Sequence, residues 1–367
     1  MNSFGRQIRL TTFGESHGVA IGGVLDGIPA GFVIDFSAID LQLQRRKTGQ
    51  DFFASQRQEP EQIEWLSGIF EGKTLGTPIA FIIKNNDAKS QDYESLKNLY
   101  RPSHADFTYD QKYGFRDHRG GGRASARETA VRVVAGSIAR QILSLYFQIE
   151  IVAYVSQIGA LGLEKKPEYL DFLTVDQFIT RCPDSQKDQE IQTYLAELKI
   201  KKDSIGGVIY TEVNNVPVGL GEPIYDKLQA RLAYAMLSIN AVKGFSYGAG
   251  FESVALTGSQ QNDVFTIKDE KIITKTNFSG GIQGGISNGA VIEYQTLFKP
   301  ISSIGQVQKL ITKNGQTVNQ AVQGRHDVCV VPRAVPIVEA MSALVFLDFL
   351  FNHVKNINKI KEGLKNI

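Results

Sequence analysis

Histidines flanked by glycine, serine or arginine mark the segments of the sequence that could carry chemistry. His17 follows Ser16 in the segment TTFGESHG, and His104 lies in RPSHADFTY. A histidine with an ordinary pKa near about 6.5 can give or take a proton at neutral pH. Gly14 and Gly18 permit sharp turns that expose Ser16 and His17 together. Because adjacent side chains rarely point at each other and no GxSxG motif occurs, we interpret the pair as two donors for an anion rather than as a hydrolase nucleophile and its base.

A second cluster combines arginines with glycines immediately before a predicted helix. The segment FRDHRGGGRASAR runs from Phe115 to Arg127 and contains four arginines, one aspartate and three consecutive glycines. Backbone N–H groups, guanidinium groups and a helix N-terminus together favour the binding of an anion. The segment lacks the Lys-Ser/Thr pair of a P-loop and the strand-GxGxxG-helix arrangement of a dinucleotide fold. An RNA-binding loop is the alternative, although repeated interleaved aromatic residues are missing.

Further cations lie in predicted turns elsewhere in the chain. Arg45 and Arg46 are adjacent, Lys299 begins the segment KPISS, and Arg325 begins the segment RHD. Each of these alone is typical of a solvated surface. Together with the two loops described above, they predict a pocket for a multiply anionic small molecule, a pocket that would also suit the phosphate of a flavin or nucleotide.

The composition is that of a globular protein with a large core. Of the 367 residues, 42% are hydrophobic and 21% are charged, and 40 basic against 38 acidic side chains leave a formal net charge of +2. This composition excludes disorder as the main state, and the charge gives no global attraction to nucleic acid or anionic lipid. We therefore expect a small-molecule substrate, and neither nucleic acid nor a membrane as a partner.

The cysteines and the longest apolar stretch bear on where the protein resides. Cys182 and Cys329 are the only cysteines, too few for a disulfide framework and outside any CxxC pair. We expect a reducing cytoplasm and no metal site, and the N-terminal segment has no signal-peptide pattern. The apolar stretch 334–351 is interrupted by Glu339 and Asp348 at helical spacing, which predicts a core helix rather than a membrane span.

The elements that must position these clusters predict an α+β fold. Apolar periodicity predicts helices over 36–46, 126–146, 223–239 and 334–354. Strands are predicted over 19–25, 78–83, 149–155, 206–213, 252–256 and 291–298, with a hairpin over 264–276. Strands and helices do not alternate regularly, which favours α+β over a doubly wound parallel sheet. The small residues of the second and fourth helices favour close helix packing, and we interpret the polar segment 165–203 as helical surface or an insertion.

Three long motifs are similar to the signatures of the chorismate synthase family. They read GESHGVAIGGVLDGIP, GRASARETAVRVVAGSI and RHDVCVVPRAVPIVEAM, in the order in which the family carries them. Shorter segments around His104, Asn240, Gly284 and Lys299 extend the resemblance along the chain. It implies a single domain over residues 1–367 with a β-α-β sandwich, in which central helices lie between two antiparallel sheets. This fold agrees with the α+β class predicted from the elements.

The resemblance also implies a reaction. It is the 1,4-anti elimination of phosphate from 5-enolpyruvylshikimate 3-phosphate, which gives chorismate in the shikimate pathway of aromatic amino-acid biosynthesis. The reaction requires reduced FMN although it has no net redox change. The C6 hydrogen is not acidic enough for simple base removal to drive loss of an allylic phosphate, so a reduced flavin lends an electron and recovers it. The protein supplies position, charge and protons.

The motif match implies roles for particular residues. His17 corresponds to the general acid for the departing phosphate, His104 to the group that protonates the reduced flavin, and Asp327 to the carboxylate that takes a proton by way of flavin N5. Ser16, Arg46 and Arg127 are expected near the substrate or NADPH. The positions expected to contact FMN are Arg123, Ala124, Ser125, Asn240, Ala241, Gly284, Lys299, Pro300, Ile301, Ser302, Ser303 and Arg325. His118 and His326 match variable family positions and receive no role.

One position departs from the family pattern. Many relatives carry an arginine near position 52, whereas this chain has Phe52, which cannot replace a cation for phosphate, and Arg57 is the nearby cation. The resemblance further implies a homotetramer. We favour an external source of reduced flavin, because no separate flavin-reductase domain is visible in the chain. A flavin-independent phosphate-handling lyase is the alternative enzyme.

Overall fold

The computed structural model describes residues 1–47, 53, 61–86, 96–167, 171–321 and 327–353 of the chain. Within these ranges the α-helices are α1 (Phe36–Arg46), α2 (Asp106–Tyr113), α3 (Thr129–Phe147), α4 (Phe172–Val175), α5 (Ser185–Ile200), α6 (Leu228–Leu237), α7 (Gly258–Gln261) and α8 (Val331–His353). Short 3₁₀ turns lie at Gly122–Ala124, Ala126–Glu128 and Gly250–Ala255. Arg325, His326, Phe52 and Arg57 lie outside the described residues.

The strands of the described ranges are mostly short. They are β1 (Ser3–Phe4), β2 (Arg9–Gly14), β3 (Ala20–Asp26), β4 (Ala30–Val33), β5 (Ile63–Ser67), β6 (Ile69–Phe70), β7 (Lys73–Leu75), β8 (Ile79–Lys84), β9 (Leu99–Tyr100), β10 (Glu150–Ile158), β11 (Leu161–Gly162), β12 (Gly207–Asn214), β13 (Val242–Tyr247), β14 (Phe265–Lys268), β15 (Lys271–Thr274), β16 (Ile282–Gln283), β17 (Ile286–Ser287), β18 (Ile292–Phe298), β19 (Val307–Thr312) and β20 (Thr317–Ala321).

Two five-stranded antiparallel sheets enclose the central helices of the described chain. The first sheet has the order β1-β2-β3-β8-β5, and the second has the order β11-β10-β12-β18-β13. Helix α3 contacts β2 and β3 of the first sheet, α8 contacts β10 and β12 of the second, and the two helices pack on each other. Helix α1 packs against both. The expected α+β fold, a β-α-β sandwich, is confirmed.

The central helices approach each other closely, as their small residues predict. A Cβ atom added to Gly136 in α3 would lie 2.4 Å from the Cβ of Ala340 in α8, so a larger residue at this crossing would force the helices apart. Residues Ala126–Phe147 and Val331–His353 are long and apolar enough to cross a membrane by length and composition. However, 61% and 94% of their most apolar windows are buried inside the protein, which identifies them as core helices.

The two acidic residues that interrupt the last apolar stretch have internal partners. Glu339 binds the guanidinium groups of Arg45 and Arg140 and accepts the backbone N–H of Ala153 at 3.2 Å. Asp348 accepts backbone N–H groups from residues 6–8, including that of Ile8 at 2.9 Å. Because a buried carboxylate is tolerated only when it is paired, these contacts explain how a core helix carries two acids.

Two predicted elements are wrong in detail. The helix predicted over 223–239 begins only at Leu228, because residues 222–227 form a turn in which the N–H of Glu222 donates to the carbonyl of Asp226 at 3.1 Å. The strand predicted over 252–256 is instead part of the 3₁₀ turn Gly250–Ala255, whose Phe251 and Val254 are exposed. Apolar residues alone do not make a strand where no neighbouring strand is available for pairing.

The other predictions agree with the described elements to within a few residues. The helices over 36–46, 126–146 and 334–354 correspond to α1, to α3 with its preceding 3₁₀ turn, and to α8 as far as residue 353. The hairpin over 264–276 is formed by β14 and β15, with Asp269 and Glu270 at positive φ in its turn. The described parts of segment 165–203 contain α4 and α5, so the interpretation as helical surface is confirmed. Cys182 and Cys329 are buried free thiols, as expected.

Strand registers bring the predicted functional loops together. Gly14 of β2 pairs with Ile21 of β3, so the connection between these strands presents residues 15–19 at the edge of the first sheet. In the second sheet Val242 of β13 pairs with Phe298 of β18, which places the residues before β13 beside those after β18. This register explains how Asn240 and Lys299, distant in sequence, become neighbours.

Candidate active site

The connection between β2 and β3 holds Ser16 and His17 in direct contact. The Oγ of Ser16 lies 3.0 Å from Nδ1 of His17, and Ser16 is only 1% exposed. The premise that these adjacent side chains do not point at each other is therefore wrong, and so is the prediction that the turn exposes Ser16 together with His17, because Ser16 is buried. Because the serine oxygen is buried, it does not present a nucleophile to a substrate, and hydrolysis is still disfavoured.

Glycines of the second cluster lie against this turn. A Cβ atom on Gly120 would lie 2.2 Å from Nδ1 of His17, and Gly120 has φ +125°, a conformation that side chains rarely adopt. A Cβ on Gly122, at φ +52°, would lie 2.6 Å from Oε2 of Glu15. Gly120 is therefore required for close approach of the loop backbone to the histidine ring, whereas at Gly122 the positive φ is what favours glycine.

Arg123 holds the loop of the second cluster against β2 through hydrogen bonds. Its Nη1 donates to the carbonyl of Gly14 at 3.3 Å, and its Nη2 donates to the carbonyl of Thr12 at 3.2 Å and to the Thr12 hydroxyl. Burial raises the pKa of the Glu15 carboxyl, and the nearby Arg123 cation opposes that rise. The predicted anion-binding loop and the His17 turn thus form one unit.

Arg46 and Arg127 meet at a carboxylate that the sequence reasoning did not identify. Both donate to Oε1 of Glu61, Arg127 through Nη1 at 2.6 Å and Arg46 through Nη2. The side chains of all three residues are at most 6% exposed. The Nη1 of Arg46 also lies 3.5 Å from the hydroxyl of Thr129. The two arginines expected near the substrate are therefore neighbours, with a shared buried counter-ion.

Asn85, also not identified from sequence, links this pair to the histidine turn. Its Oδ1 accepts the Nε of Arg127 at 3.0 Å. Its Nδ2 donates to the carbonyls of Glu15 and Gly18, each at 2.9 Å. One amide thereby contacts both ends of the segment that carries His17, and no sequence motif marks Asn85 or Glu61 for this role.

The first group of residues expected to contact FMN lies beside the residues that follow the glycine loop, which comprises residues 120–122. The carbonyl of Ala124 accepts the Nδ2 of Asn240 at 2.8 Å, and Ser125 caps the following 3₁₀ turn. Ala241 has φ +67°, and its carbonyl accepts the N–H of Lys299 at 2.9 Å. Three segments are thus in contact: the second cluster, the connection from α6 to β13, and the residues that follow β18.

The KPISS segment connects that group to His104. Lys299 binds the hydroxyl of Ser302, which donates to the carbonyl of Ser103 at 3.3 Å. The hydroxyl of Ser303 lies 2.8 Å from Nε2 of His104. Burial and the nearby Lys243 cation lower the pKa of Lys299, so an anion placed here would relieve an unfavourable charge.

The remaining residues of this segment have separate positions. The carbonyl of Ile301 accepts the hydroxyl of Ser204 at 2.7 Å, and Pro300 is exposed. Gly284 lies at φ +62° between β16 and β17. The adjacent Gly285 accepts the N–H of Leu228 at the start of α6, so this turn connects to the helix that leads to Asn240.

Ion pairs stabilise the loop that carries His104. Asp106 accepts the Nε and Nη2 of Arg101, each at 2.8 Å, and the Nη1 of Arg116 at 2.7 Å. The N–H of His104 donates to the carbonyl of Arg101 at 3.3 Å. Burial of Asp106 is outweighed by these contacts, and the two arginines hold the pKa of its carboxyl below the usual value. Asp106 therefore links the His104 loop to the start of the second cluster.

Asp327 is paired with an arginine of α8. The Nη1 of Arg333 donates to Oδ2 of Asp327 at 2.9 Å, and its Nε donates to the carbonyl of Arg46 at 3.1 Å. Asp327 is thus connected through Arg333 to Arg46, which together with Arg127 binds Glu61. Arg333 is a third residue that the sequence reasoning missed: it lies inside the motif RHDVCVVPRAVPIVEAM, but the motif does not indicate which groups the side chain contacts.

The arginines of the second cluster all have acceptors within the chain. These acceptors are Asp106 for Arg116, Asp117 for Arg119, Thr12 and Gly14 for Arg123, and Glu61, Asn85 and Lys84 for Arg127. An RNA-binding loop would present its cations to solvent for phosphate contacts. The RNA-binding alternative is therefore disfavoured by the geometry.

The sandwich and its loops carry the residue types of an enzyme active site. Two histidines, a carboxylate, clustered arginines and glycine-rich backbone lie on loops and turns that are linked by the contacts described above, as is usual for catalytic sites. Similarity to known proteins identifies which enzyme class this is. A family model described as chorismate synthase matches residues 8–351.

The chain belongs to the chorismate synthase family, whose members are carbon–oxygen lyases. It is 55% identical to the chorismate synthase of Christiangramia forsetii over 348 residues, which cover 95% of this chain and 97% of the relative. It is 51% identical to that of Flavobacterium psychrophilum over 356 residues, which cover 97% of this chain and 99% of the relative. A crystal structure of chorismate synthase superposes with a TM-score of 0.78 at 32% identity, covering 99% of this chain and 98% of that chain. The family resemblance of the motifs is confirmed.

Proposed function

We propose that the chain converts 5-enolpyruvylshikimate 3-phosphate to chorismate by 1,4-anti elimination of phosphate, with reduced FMN and without net redox change. The observation that carries the proposal is the continuous set of contacts from His17 through the glycine loop to Asn240, Lys299 and His104. It joins proton donors, cations and small residues that are far apart in sequence.

The residues expected to hold FMN fit such a group. The Oδ1 of Asn240 is buried and has no hydrogen-bond partner, so it is suited to accept an N–H from a ligand. Ala124 and Ala241 have the small side chains that close approach of a flat ring system requires, while Lys299, Ser302 and Ser303 supply groups for a phosphate. When bound, reduced FMN supplies an electron as phosphate departs and recovers it as the C6 hydrogen is removed.

His17 is the proposed acid for the departing phosphate. As a cation it carries protons on both ring nitrogens, and Ser16 accepts the one on Nδ1. This contact directs the donor role to Nε2. The contact of Gly120 with the ring restricts its rotation, so the donor keeps one direction. Arg46 and Arg127 supply the charge that binds the anionic substrate.

His104 and Asp327 are proposed for the other proton movements. His104 would supply a proton to reduced flavin bound beside it, and the hydroxyl of Ser303 at Nε2 fixes the orientation of the imidazole ring. Asp327 would accept the proton derived from the C6 hydrogen of the substrate, since a carboxylate can act as a general base. Arg325 is proposed to lie against the flavin or the substrate.

The proposal extends to the assembly, the reductant and the compartment. We propose a homotetramer in the cytoplasm that receives reduced flavin from an external reductant instead of reducing it with NADPH. The buried free thiols Cys182 and Cys329 support a reducing compartment.

The first test is anaerobic turnover with chemically reduced FMN. Chorismate and phosphate are followed together, first with reduced FMN and then with oxidised FMN plus NADPH alone. We expect product only in the first assay. Product in both would mean that the chain reduces its own flavin, and product without any flavin would support the flavin-independent lyase. Absence of product from folded protein in both assays would refute the proposed reaction.

A further inference from the structure

Arg333 lies in the first turn of α8 and makes hydrogen bonds in two directions. Its Nη1 donates to Oδ2 of Asp327 at 2.9 Å, and its Nε donates to the carbonyl of Arg46 at 3.1 Å. The side chains of Arg333 and Asp327 are 13% and 17% exposed, so water and salt screen their attraction only in part. One guanidinium therefore connects Asp327 to the end of the helix that carries Arg46.

The contact with Arg46 fixes the plane of the guanidinium. Helix α1 ends at Arg46, and the last carbonyls of a helix have no partner within it. Two arginines satisfy carbonyls here, since the Nη2 of Arg181 donates to the carbonyl of Arg45 at 2.9 Å. Because the guanidinium is planar, holding its Nε also sets the direction in which Nη1 meets Asp327.

The main chain beside Asp327 is held independently. The N–H of Val328 donates to the carbonyl of Phe53 at 2.9 Å, and its carbonyl accepts the N–H of Ile205 at 3.0 Å. These contacts fix the backbone but not the rotation of the Asp327 carboxylate about its side-chain bonds. The contact with Arg333 restricts that rotation.

We propose that Arg333 is a positioning residue for Asp327. It holds the carboxylate in the orientation that accepts the proton and ties that orientation to the end of α1, next to Arg46. The inference rests on the proposed function, because it takes Asp327 as the proton acceptor. Arg333 itself transfers no proton, since a guanidinium stays charged in proteins.

The kinetic test combines substitutions at both positions in the full chain, with substrate and chemically reduced FMN. We expect Arg333→Gln to lower kcat by about 10- to 100-fold, because a displacement of about 1 Å can cost about 100-fold in rate. We expect its KM to change by less than about threefold, since substrate binding is not the affected step. In the Asp327→Asn background the same change should alter kcat by less than about twofold, because Arg333 acts through the carboxylate.

Two further readouts separate positioning from a general loss of structure. Substrate deuterated at C6 should give a larger isotope effect on kcat in Arg333→Gln than in the wild type, because removal of that hydrogen becomes slower. Arg333→Lys keeps the charge and loses the planar fork, so its kcat should be intermediate. This milder variant also keeps the test usable if Arg333→Gln does not fold.

Arg181 provides a matched control at the same junction. It donates to the carbonyls of Arg45 and Pro332, while its Nε binds Asp176 at 2.9 Å. Arg181→Lys should lower stability at the junction of α1 and α8 and leave the isotope effect unchanged. An equal rise of the isotope effect in this control would overturn the assignment to Arg333.

A measurement without flavin or substrate tests the contact between Arg333 and Asp327 independently of the proposed reaction. Denaturant unfolding of the wild type, Arg333→Gln, Asp327→Asn and the double variant should show coupling of about twofold or more in the unfolding equilibrium constant. Absence of coupling, or losses of kcat that multiply in the double variant, would refute the positioning role. A wild-type chain that forms no chorismate would refute the proposed function, and with it the role of Asp327, before any variant is compared.

Discussion

His17 and His104 are held at the candidate site by different physical means. His17 lies on a turn between two strands of a five-stranded sheet, with Ser16 buried against its ring and Gly120 in contact with it. His104 lies on a loop after the two-residue strand β9, and the adjacent Asp106 is bound by Arg101 and Arg116. Packing positions the first histidine, whereas ion pairs position the segment that carries the second.

The cores beneath the two histidines explain this difference. The strands beside His17 contribute Leu10, Ile21 and Leu25 to the main core, which also contains the central helices. Strand β9 belongs to a three-stranded sheet over a small separate cluster formed by Leu96, Leu99 and Leu310. A small cluster buries too little apolar surface to fix a long loop, so charged contacts supply the constraint. Substitution and pH should therefore affect the two regions differently.

The largest effects are expected from removing the reacting groups themselves. His17→Ala, His104→Ala and Asp327→Asn should each lower the turnover rate by about 10²- to 10⁴-fold, because general acid–base groups contribute that much. Circular dichroism should show an intact fold, and the rate is measured anaerobically with reduced FMN. Turnover near the wild-type rate in both histidine variants would remove the assigned roles.

The next effect is loss of the carboxylate that holds the His104 loop. Asp106→Asn removes the counter-ion of buried Arg101 and leaves buried Arg116 with Asp110 alone, whose Oδ1 lies 3.5 Å from its Nε. This loss should lower the free energy of unfolding by about 3–5 kcal/mol. The matched control is Asp117→Asn on the following loop, because the Asp117–Arg119 pair is exposed and its loss should change stability far less. Denaturant titration measures both, and equal effects would mean that burial does not distinguish the two pairs.

A smaller effect should follow from crowding the His17 ring. In Gly120→Ala the new Cβ meets His17 Nδ1 at 2.2 Å and the backbone must keep φ +125°, with a cost of about 1–3 kcal/mol for the strain. The turnover rate should fall because the ring moves. Gly114→Ala is the control, since Gly114 also has positive φ but has no atom within 4 Å of an added Cβ. If Gly114→Ala lowers turnover as much, backbone strain alone accounts for the loss.

The wild type and Asp106→Asn should differ in how steeply their stability changes with pH, most in acid and least near neutral pH. The pKa of Asp106 is lowered in the folded chain, so its contribution is present above the unfolded pKa of about 3.9 and is lost as pH falls through the folded value. Denaturant midpoints between pH 7 and pH 3 should fall less steeply below about pH 4 in Asp106→Asn than in the wild type. Parallel curves for the two proteins would contradict this account.

Much of the fold could be predicted because its elements have strong local patterns. Helix α1 begins and ends at the predicted residues, and its N-cap Asp35 accepts the N–H of Ala38 at 3.1 Å. The start of α6 was not predictable, because a contact between Leu228 and the distant Gly285 decides where the preceding turn ends. The same applies to Ser16 and His17, whose shared direction follows from a turn closed by strand pairing.

The sequence by itself determined the family, the α+β class and the residue types available for proton transfer and anion binding, because motifs and apolar periodicity are local. Only the tertiary structure decided which charges meet. Arg46 pairs with Glu61, 15 residues away, and its carbonyl accepts Arg333 across 287 residues. Such pairings depend on strand register and helix packing, so the residues beside Arg333 in the chain do not reveal its partners, although it lies within a motif.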